Sequence, residues 1–434
     1  MMSDQIHLLK TRRFLPLFIT QFFGAFNDNA FKNAFLIWFT YDLAVKTGQD
    51  PQIIVTIAAG LFILPFFLFS AVAGQFADKF EKSKLVQKIK QVEILLMLLC
   101  FVGFYVQSLS LLLTILFFMG VQSTFFGPLK YSLLPTHLKD DELISGNGLI
   151  EGGTFISILL GTIIGGLLIR TNHGVEIISL IVILFSIVGY ISSRFIPQSK
   201  SDDSNLKINF NIFSQTWRII NYAREEKTVW LSIIGISWFW LIGMTFLTQF
   251  PVYTKNIING DEKIVTLFLS IFSIGIAIGS LLCNKLLKGN IDGRLVPYGS
   301  FGITVSIILF FTFGIFYKNS LDVTNLISVT NFLFLNSYGL LISLSLLSLS
   351  IFSGIYIVPL YAIMQHRSNE KHLARIIAAN NVVNALFMFL ASIAAIFLFS
   401  LNLNVNEIFL VVGIVNVGVF CVIKNIVKRS LNHA

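Results

Sequence analysis

The sequence predicts an all-α polytopic membrane protein with twelve transmembrane helices. Three observations predict it. Of the 434 residues, 55% are hydrophobic and only 12% are charged, with a mean hydropathy of +0.80; a soluble chain is nearer a quarter charged. Apolar stretches of about eighteen or more residues recur along the whole length, each long enough to cross ~30 Å of hydrocarbon as a helix. The runs are also continuous, with no period of two over residues 53–77 or 160–169. That excludes a membrane β-barrel, whose strands alternate apolar and polar over about ten residues.

The spans fall at residues 14–42, 53–77, 88–107, 109–128, 143–169, 174–195, 228–253, 264–286, 295–317, 338–364, 374–400 and 405–427. The first holds Asp28 and Lys32, is too long for a signal peptide and has no A-x-A-like cleavage site, so it reads as a retained span. Within it Gln21, Gly24, Asp28 and Lys32 recur at spacings of three and four, which puts them on one stripe of one helix. Asp28 and Lys32 form an i,i+4 pair able to neutralise itself in part. Ionised groups at bilayer depth are costly and usually face a bundle interior or a wet cavity. This stripe, with Asn29, is therefore the anchor of a candidate substrate site.

Spans two and three are joined by Gly74-Gln-Phe-Ala77-Asp78-Lys79-Phe-Glu81-Lys82-Ser-Lys84. Asp78 there is placed for a favourable contact with a helix N-terminus. Span four closes on Gly127-Pro128-Leu129-Lys130-Tyr131, where Lys130 is placed to meet an anionic headgroup or an acidic partner and Tyr131 suits the aromatic belt. Span five opens with Asn147 and, one turn later, Glu151; its Gly161, Gly165 and Gly166 are spaced for close helix packing. Span seven ends on Gln249, Pro251 and Tyr253, a polar end suited to an outer gate. Span eleven opens with Asn380 and Asn384.

The longest polar stretch, Pro197–Lys227, divides the spans six and six. Its later part places Phe210, Phe213, Trp217 and Ile220 among Arg218 and Arg224, the pattern of a short helix lying on the membrane face. Residues 319–336 are a weaker candidate of the same kind on the opposite side. The expected domains are thus residues 1–196, a six-helix half, the 197–227 linker, and 228–434, a second six-helix half. The halves repeat weakly: residues 143–151 align with 376–384, so Asn147 matches Asn380 and Glu151 matches Asn384. Pro128-Leu129 matches Pro359-Leu360, and Gly74 matches Gly279. Two parallel six-helix halves with sites between them are the design of the major facilitator superfamily.

The net charge of +9 does not signal nucleic acid. Only Lys46, Arg170, Lys255, Lys263 and Lys318 fall in the segments on one side, and Lys32 lies within a span; the other basic residues, Lys82 and Lys90 among them, fall on the side that holds both termini. By the positive-inside rule that side is the cytoplasm. Cys100, Cys283 and Cys421 are dispersed through apolar spans and read as packing residues, so no metal site and no cofactor is expected. Enzyme signatures are missing: His137 is followed five residues on by Glu142, and His366 by Lys371, so the acyltransferase HxxxxD pattern is absent, as is a Walker A loop.

Together these segments resemble a known family. Gln21-Phe-Phe-Gly-Ala-Phe-Asn-Asp28-Asn29, Gly127-Pro-Leu-Lys130-Tyr131 and Asn147-Gly-Leu-Ile-Glu151 are similar to the lysophospholipid transporter family of the major facilitator superfamily. The loop at Gly74, Asp78 and Lys82 resembles that superfamily's G-x-L-A-D-r-x-G-r-K signature, with Glu81 in place of the second glycine. The second half, from Ser237-Trp-Phe-Trp240 through Thr248-Gln249-Phe250-Pro251 to Ile377-Ala378-Ala379-Asn380-Asn381, is closer to the subgroup fused to acyltransferase and acyl-carrier-protein ligase modules.

The resemblance implies transfer of lysophospholipids, such as lysophosphatidylethanolamine, across a bacterial inner membrane. A separate acyltransferase is then the expected partner, since the chain stops after span twelve. Simpler members carry an arginine in span seven, where this chain has Thr245-Phe246, which leaves Lys32 for that role. The expected mechanism is alternating access, with Lys130 and Lys32 toward phosphate and Asp28 with Glu151 toward the amine or gating ion pairs. The alternatives are a proton-coupled transporter of a small solute or drug, with Asp28 or Glu151 carrying the proton, and a membrane scaffold docking an acyltransferase through its linker.

Overall fold

The computed structural model describes residues 7–43, 51–320 and 326–431. Their regular structure is helical, with one isolated bridge between Gly260 and Ile327. Twelve long helices follow in order: α1 Leu15–Trp38, α2 Pro51–Lys79, α3 Lys82–Tyr105, α4 Leu109–His137, α5 Asp140–Leu168, α6 Gly174–Ser193, α7 Lys227–Tyr253, α8 Glu262–Leu287, α9 Leu295–Asn319, α10 Ser337–Arg367, α11 Leu373–Ser400 and α12 Val405–Leu431. Ten are long and apolar enough to cross a bilayer on composition alone. The two that fall short are α1 and α3, which carry the polar stripe and the run Lys82, Lys84, Lys88, Lys90, Glu93.

The sequence places the start of span three at residue 88; the helix begins at Lys82. Glu81 is the reason: its carboxylate accepts from the Ser83 and Lys84 N–H groups, each at 2.9 Å, and caps the first turn. Glu81 sits at φ −62° and ψ 120°, ordinary extended backbone, so the glycine of the loop signature is not needed there. The candidate at residues 319–336 shrinks to a helix over Val329–Phe334, and residues 321–325 lie outside the described ones. Lys46 lies outside them too. Cys100 and Cys283 are buried as expected, but Cys421 is exposed on an outer face of α12 beside Val417 and Val422, so it does not pack the core.

The chain divides into two compact units. The first holds residues 1–139, 156–226 and 368–385. In it α1 and α3 both pack on α6, and α2 on α4. The later part of α5 lies close against α1: a Cβ at Gly161 would stand 2.5 Å from the Phe26 carbonyl oxygen, so only glycine allows the approach. Phe31, Phe35, Trp38, Met97 and Phe104 fill its apolar centre. The second unit holds residues 140–155, 227–367 and 386–434. Here α10 packs on α7, α8 and α9, and α12 on α7 and α9. An aromatic cluster ties these helices together, with Phe246 stacked on Phe409 at 4.2 Å and Tyr253 against Phe310 at 4.8 Å. In each unit a few turns come from a distant part of the sequence: the start of α11 joins the first, and the start of α5 the second.

Candidate functional site

The stripe on α1 is partly open. Gln21, Gly24 and Asn27 are buried, whereas Asp28, Asn29 and Lys32 are half-buried. Asp28 and Lys32 are directed to separate partners. Ser123 of α4 donates its hydroxyl to Asp28 Oδ2 at 2.6 Å. Lys32 Nζ donates to Asn29 Oδ1 at 3.2 Å and stands 5.3 Å from the Phe62 ring centroid on α2. Asn29 in turn donates to the Ala25 carbonyl. One helix face thus presents a carboxylate and an ammonium a turn apart, each held by a different neighbour.

Behind the stripe lies a hub that sequence reasoning missed. Lys90 and Glu93 of α3 form a fully buried pair at 2.5 Å. Glu93 also accepts from Asn27 of α1 and Gln122 of α4, both at 2.9 Å. One carboxylate therefore gathers donors from three helices, which is how a buried charge is tolerated. Gln122 continues outward: its Oε1 lies 3.1 Å from Ser123 Oγ, the donor to Asp28. Gly24 makes room, since a Cβ there would come within 2.5 Å of Lys90 Nζ. Lys90 reads as a loop charge because it follows Lys84 and Lys88; the signal that separates it is Glu93, a lone acid three residues on with apolar sequence after it.

A second cluster forms at the α2–α3 turn. Asp78 Oδ2 accepts from Arg375 Nε at 2.5 Å, both side chains buried. Arg375 lies in the first turn of α11, so Asp78 meets that helix start through an ion pair. Gly74 lets the helices touch: its Cβ would stand 2.8 Å from Ala378 Cβ and 2.9 Å from Arg375 Cα. Lys82, also buried, pairs with Asp202 at 2.7 Å. Partial burial raises the Glu81 carboxyl, but hydrogen bonds from Ser199, Ser83 and Lys84 outweigh it and hold the group below its ordinary 4.5.

The remaining candidates are spread over both units. In the first, Lys130 is half-buried with its ammonium 4.4 Å from the Tyr131 ring centroid. Asn380 is fully buried, and neither side-chain atom finds a hydrogen-bond partner among the described residues; Asn384 is buried as well. In the second, Asn147 exchanges amide hydrogen bonds with Gln365 of α10, at 2.6 and 3.2 Å. Glu151 is fully buried one turn on. Gln249 is half-buried, and Tyr253 closes the aromatic cluster. Gln365 had no counterpart in the repeat to reveal it.

Long apolar helices with charges held inside the bundle define a polytopic membrane transporter fold. The profile of the Major Facilitator Superfamily matches residues 17–392, and the chain belongs to that family. It is similar to the lysophospholipid transporter LplT of Photorhabdus laumondii subsp. laumondii, 26% identical over 373 residues covering 85% of this chain and 83% of that one. The LplT of Klebsiella pneumoniae subsp. pneumoniae is 25% identical over 391 residues, 85% of each. The resemblance read from the motifs of α1, α4 and α5 is thereby borne out. Among solved structures, the major facilitator transporter FucP in the outward conformation matches with a TM-score of 0.71 over 96% of this chain and 99% of that one, at 10% identity. The human organic anion transporter MFSD10 matches at 0.72 over 94% and 99%, at 11% identity. These two likenesses are of fold.

Proposed function

We propose that this protein moves lysophospholipids across a bacterial inner membrane by alternating access of two six-helix halves, residues 1–196 and 228–434. One observation carries the reading: a half-buried carboxylate and ammonium, Asp28 and Lys32, share one face of α1 yet bond to separate partners. A lysophospholipid carries an anionic phosphate, often a cationic amine, and one acyl chain, so its site needs both signs of charge. Relatives named lysophospholipid transporters, aligned over 85% of the chain, support the substrate class. Lys32 and Lys130 serve the phosphate, and Asp28 with Glu151 the amine or the gating ion pairs. Gln21, Asn29, Asn147, Asn380 and Asn384 supply neutral polar contacts, and Gln249 the outer gate. Gly74, Asp78 and Lys82 form the conformational loop.

The acyl chain stays in apolar surroundings throughout. Burying one CH₂ is worth ~0.8 kcal/mol, so drawing a sixteen-carbon chain through water costs on the order of 10 kcal/mol. A lysophospholipid acyltransferase consumes the product. Reconstitution with labelled lysophosphatidylethanolamine tests the assignment: Asp28→Ala and Lys130→Ala should each reduce transfer by about tenfold or more, the loss expected when a charged contact to the headgroup is removed. Transfer unchanged in both variants rejects it and leaves the fold untouched.

A further inference from the structure

The stretch between α6 and α7 is fastened to the first unit along its length. Ser199 N–H donates to Glu81 at 2.9 Å, and the Asp202 and Asp203 N–H groups donate to the Asp78 carbonyl at 2.9 and 3.0 Å. Asn209 exchanges two hydrogen bonds with Gln75. The helix Ile212–Glu225 then packs on α2, burying Gln215, Ile219 and Ala223. From it Tyr222 stacks on His372, ring centroids 4.5 Å apart and planes at 12°. His372 Nδ1 lies 2.7 Å from Arg375 Nη2, and the Arg375 guanidinium stands 5.4 Å from the Tyr222 ring. The helix thus braces the arginine that binds Asp78.

Its other face is unlike a soluble surface. On it Phe213 and Trp217 are 83% and 62% exposed, and Phe210, two residues before the helix, is 68% exposed. Arg224 stands 5.9 Å from the Trp217 ring, Arg218, also exposed, donates its Nε–H to the Tyr222 hydroxyl at 2.7 Å, and Glu225 is the helix's one acid. The helix has 14 residues, ~21 Å. A single residue separates it from α7, a membrane span, so its end is covalently held at the bilayer boundary. Exposed aromatics flanked by arginines at that boundary match the chemistry of an anionic lipid surface.

We propose that the helix Ile212–Glu225 docks its Phe213–Trp217 face on anionic lipids of the same bilayer, and that docking steadies the α2–α11 junction through Tyr222, His372 and Arg375. The reading does not depend on what the protein transports. The full chain is placed in vesicles of phosphatidylcholine alone or with about 30% phosphatidylglycerol. Brominated lipid should quench the Trp217 fluorescence, taken as the difference from Trp217→Phe, and more strongly with phosphatidylglycerol. Hydrogen exchange over residues 371–378 should be about two- to tenfold slower with phosphatidylglycerol, the span one stacked aromatic pair is worth. The double variant Phe213→Ser, Trp217→Ser should abolish the exchange effect, and Phe213→Ser alone should weaken the quenching of Trp217. Tyr222→Ala should abolish the exchange effect and keep the quenching. Trp217 shielded from lipid in both vesicles, as a protein partner or a second copy on this face would leave it, overturns the proposal. So does exchange over 371–378 that ignores lipid charge.

Discussion

At the scale of single residues, the costliest feature is the Lys90–Glu93 pair. A buried ion pair roughly balances desolvation against attraction, but losing one partner strands the other charge, at about 3–5 kcal/mol. Lys90→Met should therefore destabilise the detergent-purified protein severely. The double variant Lys90→Met, Glu93→Gln should recover most of that loss, because glutamine keeps an acceptor for Asn27 or Gln122 and removes the stranded charge. Thermal unfolding of the two singles and the double checks this as a cycle; strictly additive losses would show that Lys90 and Glu93 do not act as a unit. This pair was illegible in the sequence for a physical reason. Charges at the start of a helix usually lie in water, and only packing by α1, α4 and Gly24 seals these two inside. Asp28 was legible because it sits mid-span, where no loop is within reach.

At the scale of elements, the contact between α2 and the start of α11 rests on one missing side chain. Gly74→Ala gains up to about 1 kcal/mol of helix propensity, yet its Cβ meets Arg375 backbone and Ala378 at under 3 Å. Overpacking of that kind costs about 1–3 kcal/mol and wins. The variant should melt lower than the parent, by an amount that shrinks when Arg375→Ala is already present, since the ion pair that the clash disrupts is then gone. The glycine was visible in the sequence as part of a loop motif, but Arg375 was not, because 297 residues separate it from Asp78. Pairing across such a distance is set by the fold.

For the whole molecule, the charge bias along the chain predicts both termini and the Pro197–Lys227 linker on the cytoplasmic side. Cysteines placed at Ser204 and at Asp261 test it in right-side-out cells. A membrane-impermeant thiol reagent should label the second and leave the first unlabelled; the reverse pattern would invert the topology. Of the native cysteines, Cys100 and Cys283 are buried, and the exposed Cys421 is replaced by serine in both variants.

The sequence by itself determined the class, the number of long helices, the bias of charge between loops and the polar stripe on α1. All of these follow from local composition and from periodicity within one helix. Only the tertiary structure decided that Asp28 and Lys32 turn to separate partners, that Glu93 gathers three helices, that Asp78 meets Arg375, and that the linker helix braces that contact. Each depends on which helices come side by side, and in a chain so uniformly apolar, hydropathy cannot tell one neighbour from another.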